Sequence, residues 1–233
     1  MLAGHFWRRM ILFVAASAVT NLHAQSDAAA VVTLKAPPAA CVSAIGLTAS
    51  SVTGGSAVNG AIMLTAPAPA PGVSITLSSS SPNAQITTRI TVKPGDTATA
   101  FSISTLPVTS PANAAITAIA AGCSGNTRAN VSLGIDPPAL AAISLSAASA
   151  RGNSSLTGTV TLTGPSASEG GVITLQASDL LVSMPAFVTI PAGQTSASFT
   201  VNAGLSLSRS SVAITASYGG AIQTALLNVL PGI

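Results

Sequence analysis

The sequence predicts an all-β chain of two tandem sandwiches, on three observations. Apolar residues recur at every second position rather than at helical spacing. The composition is 48% apolar and only 6% charged, with 20 Gly and 15 Pro in 233 residues, and it lacks the Glu and Lys of helical proteins. The second half of the chain repeats the first at a fixed offset. A length of 233 residues allows one large domain or two of ordinary size, and the repeat favours two.

Residues 1–24 read as a signal peptide. Arg8 and Arg9 form a basic start, Ile11 to Val19 an apolar run, and a short polar stretch ends at Ala24. The run is shorter than the roughly 20 residues of a membrane span, so no span is expected after cleavage. Both His (His5 and His23) and Trp7 leave with this segment. The remainder holds Lys35, Arg89, Lys93, Arg128, Arg151 and Arg209 against Asp27, Asp96, Asp136, Glu169 and Asp179, six minus five, or +1. No basic stripe or aromatic platform is left for nucleic acid. The expected location is secreted, periplasmic or cell surface.

Residues 25–43 follow. Val31-Val32-Thr33-Leu34 with Pro37-Pro38-Ala39 mimics Val131-Ser132-Leu133 with Pro137-Pro138-Ala139. The segment is either a vestigial last strand of a third repeat or a leader without structure.

The two units are then 44–134 and 142–233, joined by a Pro-rich linker at 135–141. Ile45 meets Ile143, Leu64 meets Leu162, Ile75 meets Ile173 and Phe101 meets Phe199, each 98 apart (143 − 45 = 98). Ile116-Thr117-Ala118 meets Ile214-Thr215-Ala216, and the offset is expected to run on unbroken, Asn130-Val131 meeting Asn228-Val229. Such a period matches a whole small domain. Alternation marks strands at Ala61 to Leu64, Ile86 to Val92 and Ala98 to Ile103. In the second unit it marks Val160 and Leu162, Ile173 and Leu175, Val188 and Ile190, Phe199 and Val201, Val212 and Ile214. Turn residues separate them at Gly54-Gly55, Pro69 to Gly72, Lys93 to Asp96, Pro191 to Gly193 and Tyr218 to Gly220. About seven strands per unit describe a Greek-key sandwich of immunoglobulin type, and no long helix is needed. Pro137 and Pro138 make the linker short and stiff.

Gly158-Thr159-Val160-Thr161-Leu162 with Pro165, Gly170 to Leu175, Val188 to Thr195 with Phe199, and Ile214 to Gly220 resemble the immunoglobulin-like repeats of bacterial secreted and surface proteins. The resemblance implies non-catalytic stalks, spacers and adhesive or glycan-facing modules, and carries over no functional residue. The Trp and inter-sheet Cys pair of antibody domains are missing.

Cys41 and Cys123 remain after export, where disulfides persist. In an immunoglobulin-type topology they share a pole, and Ala139 and Ala221 stand 98 residues on. A structural disulfide is expected; two free or intermolecular thiols are the alternative. Without a mature His there is neither a Ser-His-Asp arrangement nor a His-ligated metal site. Gly122-Cys123-Ser124-Gly125 lacks the final Gly of a nucleophile elbow, Asn126 standing there. Gly95-Asp96-Thr97-Ala98 reads as a hairpin turn, and Glu169 and Asp179 as turn residues. No catalytic residue, cofactor or metal is expected.

Two functions remain: a structural spacer, or an adhesive module for an envelope glycan or protein. Phe101 and Phe199 fall on the core face, which leaves Tyr218 and Phe187 as candidate binding residues. With so few charges to block sheet edges, strand addition and weak self-association are open. The chain is read as a free secreted protein or as part of a longer array.

Overall fold

A computed structural model describes residues 39–123 and 128–232. The expected signal peptide, residues 25–38 of the expected leader segment, and Ser124 to Asn126 of the excluded nucleophile motif lie outside the described residues.

Alternation is the local rule that builds every strand. In the first unit β1 (Val42–Leu47), β3 (Ala57–Leu64), β7 (Ala98–Thr105) and β5 (Ala84–Ile86) pair in that order into a four-stranded sheet. Facing it is a five-stranded sheet ordered β2 (Ser51–Thr53), β9 (Arg128–Asp136), β8 (Ala112–Ala120), β4 (Val73–Ser79) and β6 (Arg89–Val92). The inward residues Ile62, Ile75, Leu77, Ile103, Ile116, Leu133 and Ile135 are fully buried between the sheets. Their neighbours along each strand point to solvent, as period-two side chains must.

Two chain segments change sheet. The first runs as β1 beside β3, then bends at residues 48–50 into β2, parallel to β9. The second is the alternating run Ile86 to Val92, expected as one strand. It is split, with β5 pairing to β7 and β6 to β4, and only Thr87 and Thr88 lie between. Alternation cannot see that crossing, because both halves keep the same period.

The second unit repeats this plan. Its four-stranded sheet is β10 (Leu140–Leu145), β12 (Ser154–Leu162), β16 (Ser196–Ala203) and β14 (Val182–Ser183). Its five-stranded sheet is β11 (Ser149–Arg151), β18 (Ala221–Leu230), β17 (Ser210–Tyr218), β13 (Gly171–Ala177) and β15 (Phe187–Ile190). Val160, Ile173, Ile190, Val201, Ile214, Leu227 and Val229 fill its core.

The offset of 98 holds through β17 and then changes. Ala114 faces Leu133, whereas Val212, 98 residues after Ala114, faces Leu227, and 227 − 133 is 94. Asn130 lies opposite Thr117 but Asn228 lies opposite Ser211, so the matching Asn-Val pairs are not equivalent and the expectation of an unbroken register is corrected. The cause is local. Gly219 and Gly220, both at positive φ, close β17 onto β18 in a two-residue turn. The β8–β9 connection is four residues longer and contains Cys123.

In each four-stranded sheet a phenylalanine ring lies over a glycine on the next strand. Gly60 is paired with Phe101 and Gly158 with Phe199. A Cβ on Gly158 would stand 2.3 Å from Phe199 Cζ, and one on Gly60 2.4 Å from Phe101 Cζ. The absent side chain is therefore the space that admits the ring to the core. Gly158→Ala is expected to destabilise the second sandwich by about 1–3 kcal/mol through overpacking. Adding Phe199→Leu should recover part of that loss in a double-mutant cycle read by urea unfolding.

Candidate functional site

Three places in the fold carry more than core packing. The first is the pole where the first sandwich begins. Cys41 and Cys123 form a disulfide with Cα atoms 5.7 Å apart across 82 residues. Thr65 holds the strand start beneath it: its N–H donates to the Cys41 carbonyl at 2.8 Å, and its Oγ1 accepts from the Cys41 N–H at 3.1 Å. Thr163 makes the same pair of bonds to Ala139, so Ala139 is the structural counterpart of Cys41. Ala221 is not that of Cys123, because it pairs with Tyr218 inside a strand ladder. The bridge therefore starts from a connection four residues longer than the matching one in the second sandwich. Such a bond persists in oxidising compartments.

The second place is the outer face of the second five-stranded sheet. Phe187, Thr174, Ser217 and Ile222 form one row across four strands. Val172 lies diagonal to Phe187, and Leu226 lies four residues along β18 from Ile222. Phe187 is 61% exposed and Ile222 65%, with Val172 and Leu226 similar. The Thr215 and Thr224 hydroxyls lie 3.3 Å apart between them. The first sandwich provides an internal comparison. At the four matching positions it has Arg89, Ser74, Arg128 and Ser132, with an outward hydrogen bond of 2.7 Å between Thr117 and Asn130. At these four positions one copy of the face is polar and the other apolar.

Phe187 and Tyr218 are not brought together. Phe187 points outward from an edge strand, while Tyr218 has the inward parity of β17 and is half-buried against the core at the pole. Val172, Ile222 and Leu226 escaped a search restricted to aromatics. Their signal was present as aliphatic residues on the outward phase of alternating strands. Phe101 and Phe199 are core residues, as expected.

The third place is the junction. Only Pro137, Pro138 and Ala139 separate β9 from β10, and Pro138 is buried. The β12–β13 loop of the second sandwich packs on the first: a Cβ on Gly55 would meet Pro165 Cγ at 2.2 Å, and one on Gly164 would meet Thr53 Cγ2 at 2.7 Å. Ala167 and Val108 are buried there. Two clefts flank the contact. One is lined by Asn83, Thr109 and Glu169, the other by Thr109, Pro137 and Tyr218.

Asp96 and Asp179 sit at turns. Asp179 Oδ1 accepts from the Leu181 N–H at 2.8 Å, and the Asp96 N–H donates to the Lys93 carbonyl at 3.1 Å. Among the described residues no three His, Cys, Asp or Glu side chains gather as a metal site would require. No helix among them is long and apolar enough to cross a membrane.

No family model and no curated protein matches the chain. Solved structures do align with it. The D0-D1 domain of intimin is 12% identical over 82% of this chain and 99% of that chain, with a TM-score of 0.34. The Yersinia pseudotuberculosis adhesin InvE is 12% identical over 82% of this chain and 60% of that chain, TM-score 0.34. The titin domains z1z2, in complex with telethonin, are 12% identical over 81% and 96%, TM-score 0.34. Likenesses this distant carry no argument, and the immunoglobulin-like assignment rests on strand order and pairing.

Replacing both cysteines, Cys41→Ala with Cys123→Ala, is expected to destabilise the first sandwich by roughly 2–4 kcal/mol through lost loop closure. The second sandwich should unfold unchanged, so a thermal scan should show one transition moving and one standing still.

Proposed function

We propose that the chain is exported and acts as a non-catalytic spacer in the cell envelope or the medium. The observation that supports this reading is the junction. Three residues, two of them proline, cannot supply a long flexible tether, and Pro165 over Gly55 gives the joint a packed contact. A spacer needs a defined length more than it needs a cleft. Gly55→Asn tests the joint. Gly55 has φ +89°, and the matching position of the second sandwich holds Asn153 at φ 62°, so Asn is the side chain this loop strains least to accept, but the new Cβ collides with Pro165. Small-angle scattering is expected to show a single well-defined distribution of intramolecular distances for the exported chain and a broader range of maximum dimensions for Gly55→Asn. An identical, already broad profile for both would count against the spacer.

A second reading has its own observation, the apolar outer face around Phe187. On this reading the second sandwich recognises an envelope glycan or protein through a flat surface, with Phe187 at its edge and Tyr218 outside it. Co-sedimentation with the producing cell's envelope and insoluble polysaccharides separates the readings. Saturable binding that Phe187→Arg abolishes and Tyr218→Ala spares would establish recognition; no binding to any fraction would leave the spacer alone.

A further inference from the structure

The junction contact has an unfilled counterpart at each end of residues 39–232. In the molecule a loop beginning Gly164-Pro165 seats on a pole of the first sandwich formed by Gly54-Gly55 and Pro107 to Thr109. Shifting by 98 residues gives the same two surfaces, and among the described residues they lie exposed. The matching loop of the first sandwich is Ala66-Pro67-Ala68-Pro69-Ala70-Pro71, an apolar, proline-stiffened segment with Pro67 and Pro69 exposed. The matching pole of the second sandwich holds Leu205 and Leu207 where the first has Pro107 and Thr109. Leu207 is 91% exposed, and Leu180, on the adjoining loop, is 100% exposed. The Gly204 N–H to Leu181 carbonyl bond, 2.7 Å, holds those two loops side by side.

Isolated exposed leucines need no explanation, but three on one pole make an apolar patch. Here the partner surface is present on the same molecule.

We infer that the Leu180, Leu205 and Leu207 pole of one molecule docks the Ala66–Pro71 loop of a second copy, head to tail. The inference rests on the junction contact and not on the spacer reading. The seat is not a copy of the internal one. Asn153 stands where Gly55 stands, so a Cβ occupies the notch that Pro165 enters. The incoming loop must ride higher, on the leucine side chains that rise around it. Because plug and socket lie on different surfaces the contact is heterologous, and successive copies add head to tail. Contacts between loop tips are smaller than a standard interface, so association is weak and grows with concentration.

Sedimentation equilibrium on the exported chain tests this with Leu207→Glu, which spoils the socket, and Pro67→Glu, which spoils the plug. Wild type should show a mass that keeps rising with concentration. Each variant alone should lose association at least about tenfold, the scale of one buried leucine. An equimolar mixture should regain it but stop at dimers, since one good plug and one good socket remain. Leu180→Glu replaces Leu207→Glu if circular dichroism shows the latter unfolded. A strictly monomeric wild type at millimolar concentration overturns the inference. So does a mixture that stays monomeric, or single variants that associate as wild type does.

Discussion

A proline ring entering a notch that only glycine leaves open is the contact on which the arrangement of the molecule depends. Each sandwich can bury its own inward residues without the other, since Ile62 to Ile135 and Val160 to Val229 form separate clusters. Nothing in either core decides how the two are joined. That is decided at the junction, by Pro165 over Gly55, by Thr53 against Gly164, and by a linker too short to let the loops part. The short Gly219-Gly220 turn belongs to the same constraint, because it closes the second sandwich at the pole that faces Thr109 to Pro111 and the linker. At the opposite pole, where the first sandwich begins, the longer connection and its disulfide stand.

The repeat therefore shows the same fold under two demands. Where the copies do the same work they kept the same chemistry: Phe over Gly, Thr65 and Thr163 clamping the first strand, and the same order of strands in both sheets. Where their surroundings differ they diverged. The outer face of one five-stranded sheet carries Arg89 and Arg128, and the other carries Phe187 and Ile222. Those substitutions alter no inward position, so folding does not require them.

Much of the fold was legible in the sequence because period-two alternation and burial are the same fact seen twice. Phe101 and Phe199 could be placed in the core from phase alone, and the Cys41–Cys123 pole from topology. Three things were not legible. The split of Ile86 to Val92 between two sheets keeps the alternation intact. The four-residue change before the last strand was hidden by a chance Asn-Val match at the old offset. The apolar outer face was missed because Val172, Ile222 and Leu226 count as ordinary strand formers until neighbouring strands are laid beside them.

The junction holds the two sandwiches as one body. Backbone amide relaxation together with residual dipolar couplings on residues 25–233 reads that rigidity. One rotational correlation time and one alignment tensor are expected to fit the amides of both sandwiches. Two distinct tensors, with faster tumbling for each sandwich than for the whole, would contradict it.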